Sequence, residues 1–269
     1  MTLPLRLACQ EQLLPGLRLQ EKWEAALAAG FDAIELRGKG SGAFLARLPE
    51  LSRARADGVI MTSVCVDMAH FVGAFDADLR LDAIIQMKEQ LTTIAAAGGA
   101  LAVTPASYGM FSRRLPPFDP PRSSEEDRRV LVEGFGELAE HARAEGVRIC
   151  LEPLNRYEDH MINTLGQAVE ICEAVGSPAM GVCADTYHMN IEETDLAESI
   201  RACGSWLRHV QVSDSNRLEP GTGHLDWPAV LVALETAGFT APLAYECRLS
   251  GDAVEVLPRS TAFLRRCTV

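Results

Sequence analysis

The chain has 269 residues, 48% of them hydrophobic and 23% charged, with a formal net charge of −12. That composition supports a large buried core, while the acidity opposes binding to nucleic acid, because neutralising phosphates needs a Lys/Arg-rich face. No run of 18 or more apolar residues and no signal peptide is present, so neither a membrane span nor export is expected.

In chain order, apolar runs predict strands at 4–9, 32–37, 58–66, 100–105, 147–152, 180–185, 207–212 and 242–246. Amphipathic stretches lie between them, at 19–30, 82–99, 125–146 and 164–176 among others, several ending in a Gly suited to a helix C-cap. Strand and helix in alternation imply a parallel sheet. An open doubly wound sheet needs no fixed strand count and usually carries a Gly-rich nucleotide turn after its first strand, and no GxGxxG occurs. Eight strand-plus-helix units in about 250 residues instead predict an α/β fold, a (β/α)8 TIM barrel, as one domain over 1–269 with no linker dividing it. The irregular stretch 107–124, rich in Pro and aromatics, reads either as a lid over the barrel mouth or as a plain surface loop. Eight cysteines are scattered without CxxC spacing, several inside predicted strands, which points to reduced thiols and a cytoplasmic protein.

Four residues stand out in the second half. Glu152, Asp185 and Glu246 are the last residues of the runs VRICLE, MGVCAD and PLAYE, and Gln211 is the last but one of LRHVQV; in chain order the four are 33, 26 and 35 residues apart. In a βα barrel the strand C-termini converge on one face, so ends of strands five to eight surround one quadrant of the mouth. Taken singly, a strand-end Glu is as often a helix cap, and a Gln a satisfied core amide. Four in consecutive repeats read as one metal site. Three carboxylates and an amide oxygen suit a single hard divalent ion, Mn2+ first, with Mg2+ or Co2+ as alternatives and structural zinc disfavoured. Strand alternation puts Cys150, Cys183 and His209 on the same face as the ligand that follows each, which makes His209 an inner-layer group or a support for a ligand.

The stretches LEPLNRYE (151–158), CADTYHMNIEE (183–193), HVQVSDSNR (209–217), PGTGHLDW (220–227) and AYEC (244–247) resemble the sugar isomerase/epimerase family with a xylose-isomerase-like barrel. Within it they are most similar to the ketose 3-epimerases that act on tagatose, psicose and ribulose. The resemblance covers nearly the whole second half; the first half agrees in barrel pattern and length.

What the resemblance implies is a divalent ion on Glu152, Asp185, Gln211 and Glu246, with Glu152 and Glu246 also the catalytic acid/base pair. Glu158, His188 and Arg217 match positions that contact substrate. One departure stands in the ligand set: ketose 3-epimerases usually carry His where this chain has Gln211, whereas the similar hydroxypyruvate isomerases carry Gln. The family also implies a small carbohydrate substrate and a homo-oligomer, dimer or tetramer.

The chemistry follows from the two carboxylates. A proton beside a ketone becomes removable when a metal acts as Lewis acid on the enediolate, and epimerisation then needs one group on each face of the flat carbon. A hydroxypyruvate-isomerase-like aldose-ketose isomerase, or an inosose-dehydratase-like lyase that expels a β-hydroxyl, would use nearly the same parts. A non-catalytic sugar-binding barrel is opposed by the intact glutamates, and a zinc nuclease by the acidity and the lack of a His-rich set.

Overall fold

The computed structural model describes residues 5–110 and 119–268. Eight parallel strands close into a barrel in strict chain order: β1 Leu7–Gln10, β2 Ala33–Lys39, β3 Met61–Asp67, β4 Leu101–Pro105, β5 Arg148–Glu152, β6 Met180–Asp185, β7 Leu207–Val212 and β8 Leu243–Tyr245. All eight predicted strands are present, displaced by a few residues at some ends. The last is shorter than its apolar run, and Glu246 stands one residue past β8 with its backbone N–H still donating to Val212 O at 3.1 Å.

Among the described residues the helices are α1 Leu19–Ala28, α2 Leu48–Ala56, α3 Ala77–Ala97, α4 Ser124–Glu145, α5 Leu165–Val175, α6 Thr186–Glu192, α7 Leu196–Cys203, α8 Trp227–Thr236 and α9 Ala253–Cys267. Their starts are chemically marked. Ser123 with Glu126 and Thr164 with Gln167 form reciprocal capping boxes at α4 and α5, and Asp76 accepts from Asp78 N and Leu79 N to start α3. That Asp76 cap starts α3 five residues before the apolar periodicity at 82 would suggest. Gly98, Gly146 and Gly176 end α3, α4 and α5 in the left-handed conformation, which costs Gly little.

The main core lies between strands and helices, with Leu7, Ile34, Leu91, Phe135 and Trp227 essentially inaccessible. A second, small cluster of Leu101, Val103, Cys150 and Cys183 packs separately. Those two cysteines are the ones that strand alternation put on the same face as the candidate ligands. All eight cysteines are free thiols, and no helix among the described residues is long and apolar enough to cross a membrane.

Of the stretch 107–124 read as a lid or a surface loop, residues 111–118 lie outside the described residues. Its near end is fastened: Ser107 Oγ donates to Asp159, and Gly109 N donates to Glu158 O at 2.9 Å. At its far end Arg122 donates to Gly73 O at 2.7 Å and pairs with Asp127, which also faces His160 Nε2 at 3.1 Å.

Candidate active site

Strand ends β5 and β6 and the first turn of α6 bring Glu152, Asp185 and His188 together, each offering one ligand-type atom within 4.8 Å of the others, all three buried. Register sets the neighbours. Asp185 lies beside Gln211 across β6 and β7, and Gln211 beside Ala244 across β7 and β8.

Asp185 has several jobs. Its Oδ1 caps α6 by accepting from Tyr187 N (2.7 Å) and His188 N (3.3 Å), which fixes where His188 starts, while Oδ2 accepts from Arg217 Nη1 at 2.7 Å. The second guanidinium nitrogen, Nη2, is 3.5 Å from Glu246 Oε2, and the Tyr187 ring lies under the guanidinium at 4.7 Å. Arg217 itself holds φ +61, a left-handed conformation uncommon outside Gly. The loop around it enforces that geometry: Arg217 N donates to Asp214 O, Arg248 N donates to Arg217 O, and the Asp214 carboxylate takes donors from Gly221 N and Trp227 Nε1. The side chain of Arg217 is therefore a partner of the carboxylates of Asp185 and Glu246.

His188 Nδ1 lies 3.0 Å from the backbone N–H of Asn155, which can only donate. Neutral imidazole then carries its proton on Nε2, 3.8 Å from Glu152 Oε1. Burial lowers the His188 pKa and keeps the ring neutral. Asn155 also donates from its amide to Glu158 Oε1 at 3.0 Å, which ties Glu158 to the same corner.

The charges are unbalanced. Burial raises the Glu152 pKa well above the ordinary carboxylate range, and the neighbouring Glu246 and Asp185 charges push the same way. Burial likewise lifts Glu246, to about 7, against the pull of Arg217. Asp185 goes the other way: burial raises its pKa, but the charge and hydrogen bond of Arg217 outweigh it and hold the carboxyl below its ordinary range. Glu246 Oε2 is a buried oxygen without a hydrogen-bond partner among the described residues. Three carboxylates facing one guanidinium, with an orphaned oxygen among them, fit a divalent cation.

Glu152, Glu158, His188, Arg217 and Glu246 line one cavity of about 230 Å3. Its other side comes from the first three strands and the β4 end, with Gln10, Gln12, Arg37, Asp67 and Tyr108.

The sequence pattern described as the xylose isomerase-like TIM barrel matches residues 23–267. The chain belongs to that family. The 3-dehydro-D-guloside 4-epimerase of Escherichia coli K12 is 33% identical over 265 residues, spanning 98% of this chain and 100% of that enzyme. The D-psicose 3-epimerase of Agrobacterium fabrum is 37% identical over 115 residues, 43% of this chain and 40% of its own length. Among solved structures, apo 3-keto-D-glucoside 4-epimerase from E. coli is similar at a TM-score of 0.91 and 32% identity, over 98% of this chain and 100% of that one. These relatives are epimerases, hence isomerases, and this family member is an isomerase of that kind.

As in the sequence reading of this family member, His209 is an inner-layer group. It lies 2.6 Å from Glu35 Oε2, a residue that sequence reasoning passed over. Glu35 has no exposed surface and its two oxygens take four donors: Gln10 Nε2 (3.0 Å) and Gln211 Nε2 (2.9 Å) on one, Ser63 Oγ (2.6 Å) and His209 Nε2 on the other. Burial opposes its ionisation, but His209 and these donors hold its pKa below the ordinary range. Since a carboxylate only accepts, Gln211 must turn its NH2 to Glu35, leaving its Oε1, which Cys183 Sγ approaches at 3.3 Å. The available signal was a charged Glu35 at an inward position of the apolar run AIEL. Asn155 and Arg37 were also missed; both look like ordinary loop or surface residues in sequence.

Proposed function

We propose that this protein is a divalent-metal-dependent sugar epimerase of the ketose 3-epimerase type, inverting the carbon beside a ketone with Glu152 and Glu246 as the proton-transfer pair. The observation that carries this reading is the two glutamates themselves: they come from separate strands, open on one cavity, and burial favours the proton-carrying form of both. A general acid/base works best with a pKa near the working pH.

The relatives' names agree on the chemistry. A ketose 3-epimerase inverts the carbon next to a C2 carbonyl, and a 3-dehydro-guloside 4-epimerase inverts the carbon next to a C3 carbonyl. Either way the proton removed is α to a ketone. Likeness along the full chain to the second enzyme favours a keto glycoside as the small carbohydrate substrate.

In this reading Glu152, Asp185, Gln211 and Glu246 hold one divalent ion through oxygen, Mn2+ first, with Mg2+ and Co2+ as alternatives. When bound, such an ion supplies Lewis acidity at the carbonyl and adjacent hydroxyl oxygens. One glutamate takes the proton from one face of the carbon, and the other returns a proton to the opposite face. His188 Nε2–H donates to a substrate oxygen, its orientation fixed by Asn155 N–H. Arg217 steers the two carboxylates, and Glu158 binds a substrate hydroxyl. The eight free thiols suit a reducing, cytoplasmic setting, and family resemblance supports a dimer or tetramer.

The deciding experiment follows 3-keto glycosides and free ketoses with Mn2+ in D2O by NMR. Deuterium entering the carbon beside the ketone with inversion, and no loss of water, supports the epimerase. Water release would assign a lyase instead, and migration of the carbonyl an aldose-ketose isomerase.

A further inference from the structure

Strand alternation puts Glu35, Arg37 and Lys39 on one face of β2, the first inside the barrel and the other two exposed at the mouth. Arg37 lines the reaction cavity with Gln12 and Asp67, and its guanidinium feels the Glu246 charge. The same three residues wall a second cavity of about 510 Å3, completed by Glu11, Lys22, Lys39 and Arg47. The two spaces are neighbours through Arg37.

Size and charge both give the second space a purpose. Ligand pockets usually enclose about 300 to 1,000 Å3. The reaction cavity, at about 230 Å3, has room for little beyond one sugar ring, so a further substituent must leave it, and the space behind Arg37 is a route out. Among the residues lining it, Lys22, Arg37, Lys39 and Arg47 face Glu11 and Asp67, and even with Glu50 paired to Arg47 at 3.1 Å one positive charge is left over, in a chain whose net charge is −12.

The partners show which cations a ligand can recruit. Glu11 is committed: it accepts from Arg47 at 2.7 and 2.8 Å and from Arg37 N at 2.8 Å, with Lys22 Nζ 4.0 Å away. Arg37 pairs with Asp67 at 2.8 Å, but the two side chains are 46% and 41% exposed, and such surface pairs are worth little. The Lys39 ammonium has no ion pair or hydrogen bond among the described residues.

Resting on the epimerase reading, we propose that this second cavity is a subsite for an anionic group on the aglycone of a keto glycoside whose sugar occupies the reaction cavity. Lys39 and Arg37 bind the anion, a carboxylate or a phosphate ester. Arg37 leaves Asp67 to do so and offers a planar two-pronged donor, while Lys39 contributes a point charge. The excess positive charge also draws such a substrate to the mouth against the overall negative charge of the chain.

The test uses the Mn2+-loaded full chain and three 3-keto glucosides of one skeleton, carrying glycerol, glycerate or glycerol phosphate as aglycone. Calorimetric affinity and KM are measured at low and high salt. The subsite predicts that at least one anionic glycoside binds about tenfold or more tighter than the glycerol glycoside, an advantage that salt reduces. Preference for glycerate identifies a carboxylate subsite, and preference for glycerol phosphate a phosphate subsite. Lys39→Glu, at an exposed position, should abolish the advantage. Equal affinity for all three glycosides, or an advantage that survives Lys39→Glu, overturns the proposal. If the glycerol glycoside shows no deuterium exchange, the epimerase reading fails on its own, and the affinities still decide the subsite.

Discussion

Arg217 spans two carboxylates with different nitrogens, Nη1 on Asp185 Oδ2 at 2.7 Å and Nη2 facing Glu246 Oε2 at 3.5 Å. A lysine in its place keeps one positive charge but loses the fork, so it can serve one carboxylate at a time. Arg217→Lys should therefore lower kcat/KM by about 10- to 100-fold, the usual cost of a hydrogen bond to a charged group. Arg217→Gln should cost more, because Glu246 loses the cation that restrains its pKa. Steady-state kinetics beside circular dichroism checks both; unchanged kcat/KM in Arg217→Gln would remove Arg217 from the site.

The raised glutamates make stability of the metal-free protein depend on pH with a definite sign. The Glu246 carboxyl loses its proton near 4.5 in an unfolded chain and only near 7 in the folded one. Between those values the folded state binds more protons than the unfolded state, so this group's contribution to stability falls as pH rises through the window. Below about 4.5 nothing is lost, and above about 7 the loss is complete. Glu152, displaced upward as well, adds to the same trend. Glu246→Gln removes the Glu246 part, so its Tm relative to wild type should be more favourable at about pH 8 than at about pH 4. Adding Mn2+ at pH 8 should raise the wild-type Tm, because an ion that binds only the folded state stabilises it by mass action.

The barrel and the carboxylate cluster at its mouth were legible because each rests on local patterns. Apolar runs marked the strands, and an acid or amide closing four of them in succession marked the mouth, where the structure gathers Glu152, Asp185, Arg217 and Glu246 around one cavity or in direct contact. Glu35 was not legible in the same way: its importance comes from meeting His209 and Gln211, 174 and 176 residues away, inside the closed barrel. Asn155 acts through its backbone N–H on His188, a contact that side-chain chemistry does not advertise. Arg37 gains its meaning only from the way two cavities share a wall. Distance along the chain hid what strand closure created.

Gln211 sits between the Glu35 network and the proposed ion, which allows a paired prediction. Glu35→Gln replaces one acceptor oxygen by a donor where four donors converge, so it leaves buried donors unpaired and should destabilise the fold by about 1 to 3 kcal/mol. Gln211→His keeps an N–H for Glu35 and should retain metal while shifting preference toward Co2+ and Zn2+, since imidazole suits those ions better than an amide oxygen. Gln211→Leu should weaken Mn2+ binding measured by calorimetry. Indifference of Mn2+ affinity to Gln211→Leu would show that this side chain is only a satisfied core amide.

The proton-transfer roles separate in deuterated water. Converting Glu152 or Glu246 to Gln removes a base and keeps an oxygen, so epimerisation should fall by about 10² to 10⁴ fold, the range for a lost general acid/base, with part of the metal affinity retained. The two variants should differ in kind. If the two glutamates flank opposite faces of the carbon, each variant keeps the base for one epimer. The Glu152→Gln protein should still exchange the proton of one epimer without inverting it, and the Glu246→Gln protein should do so for the other. Exchange read by NMR on each epimer separately therefore maps each glutamate to a face. A single-base isomerase would behave differently, losing exchange on both epimers with one variant and on neither with the other. Full epimerisation by both variants would remove Glu152 and Glu246 from the chemistry altogether.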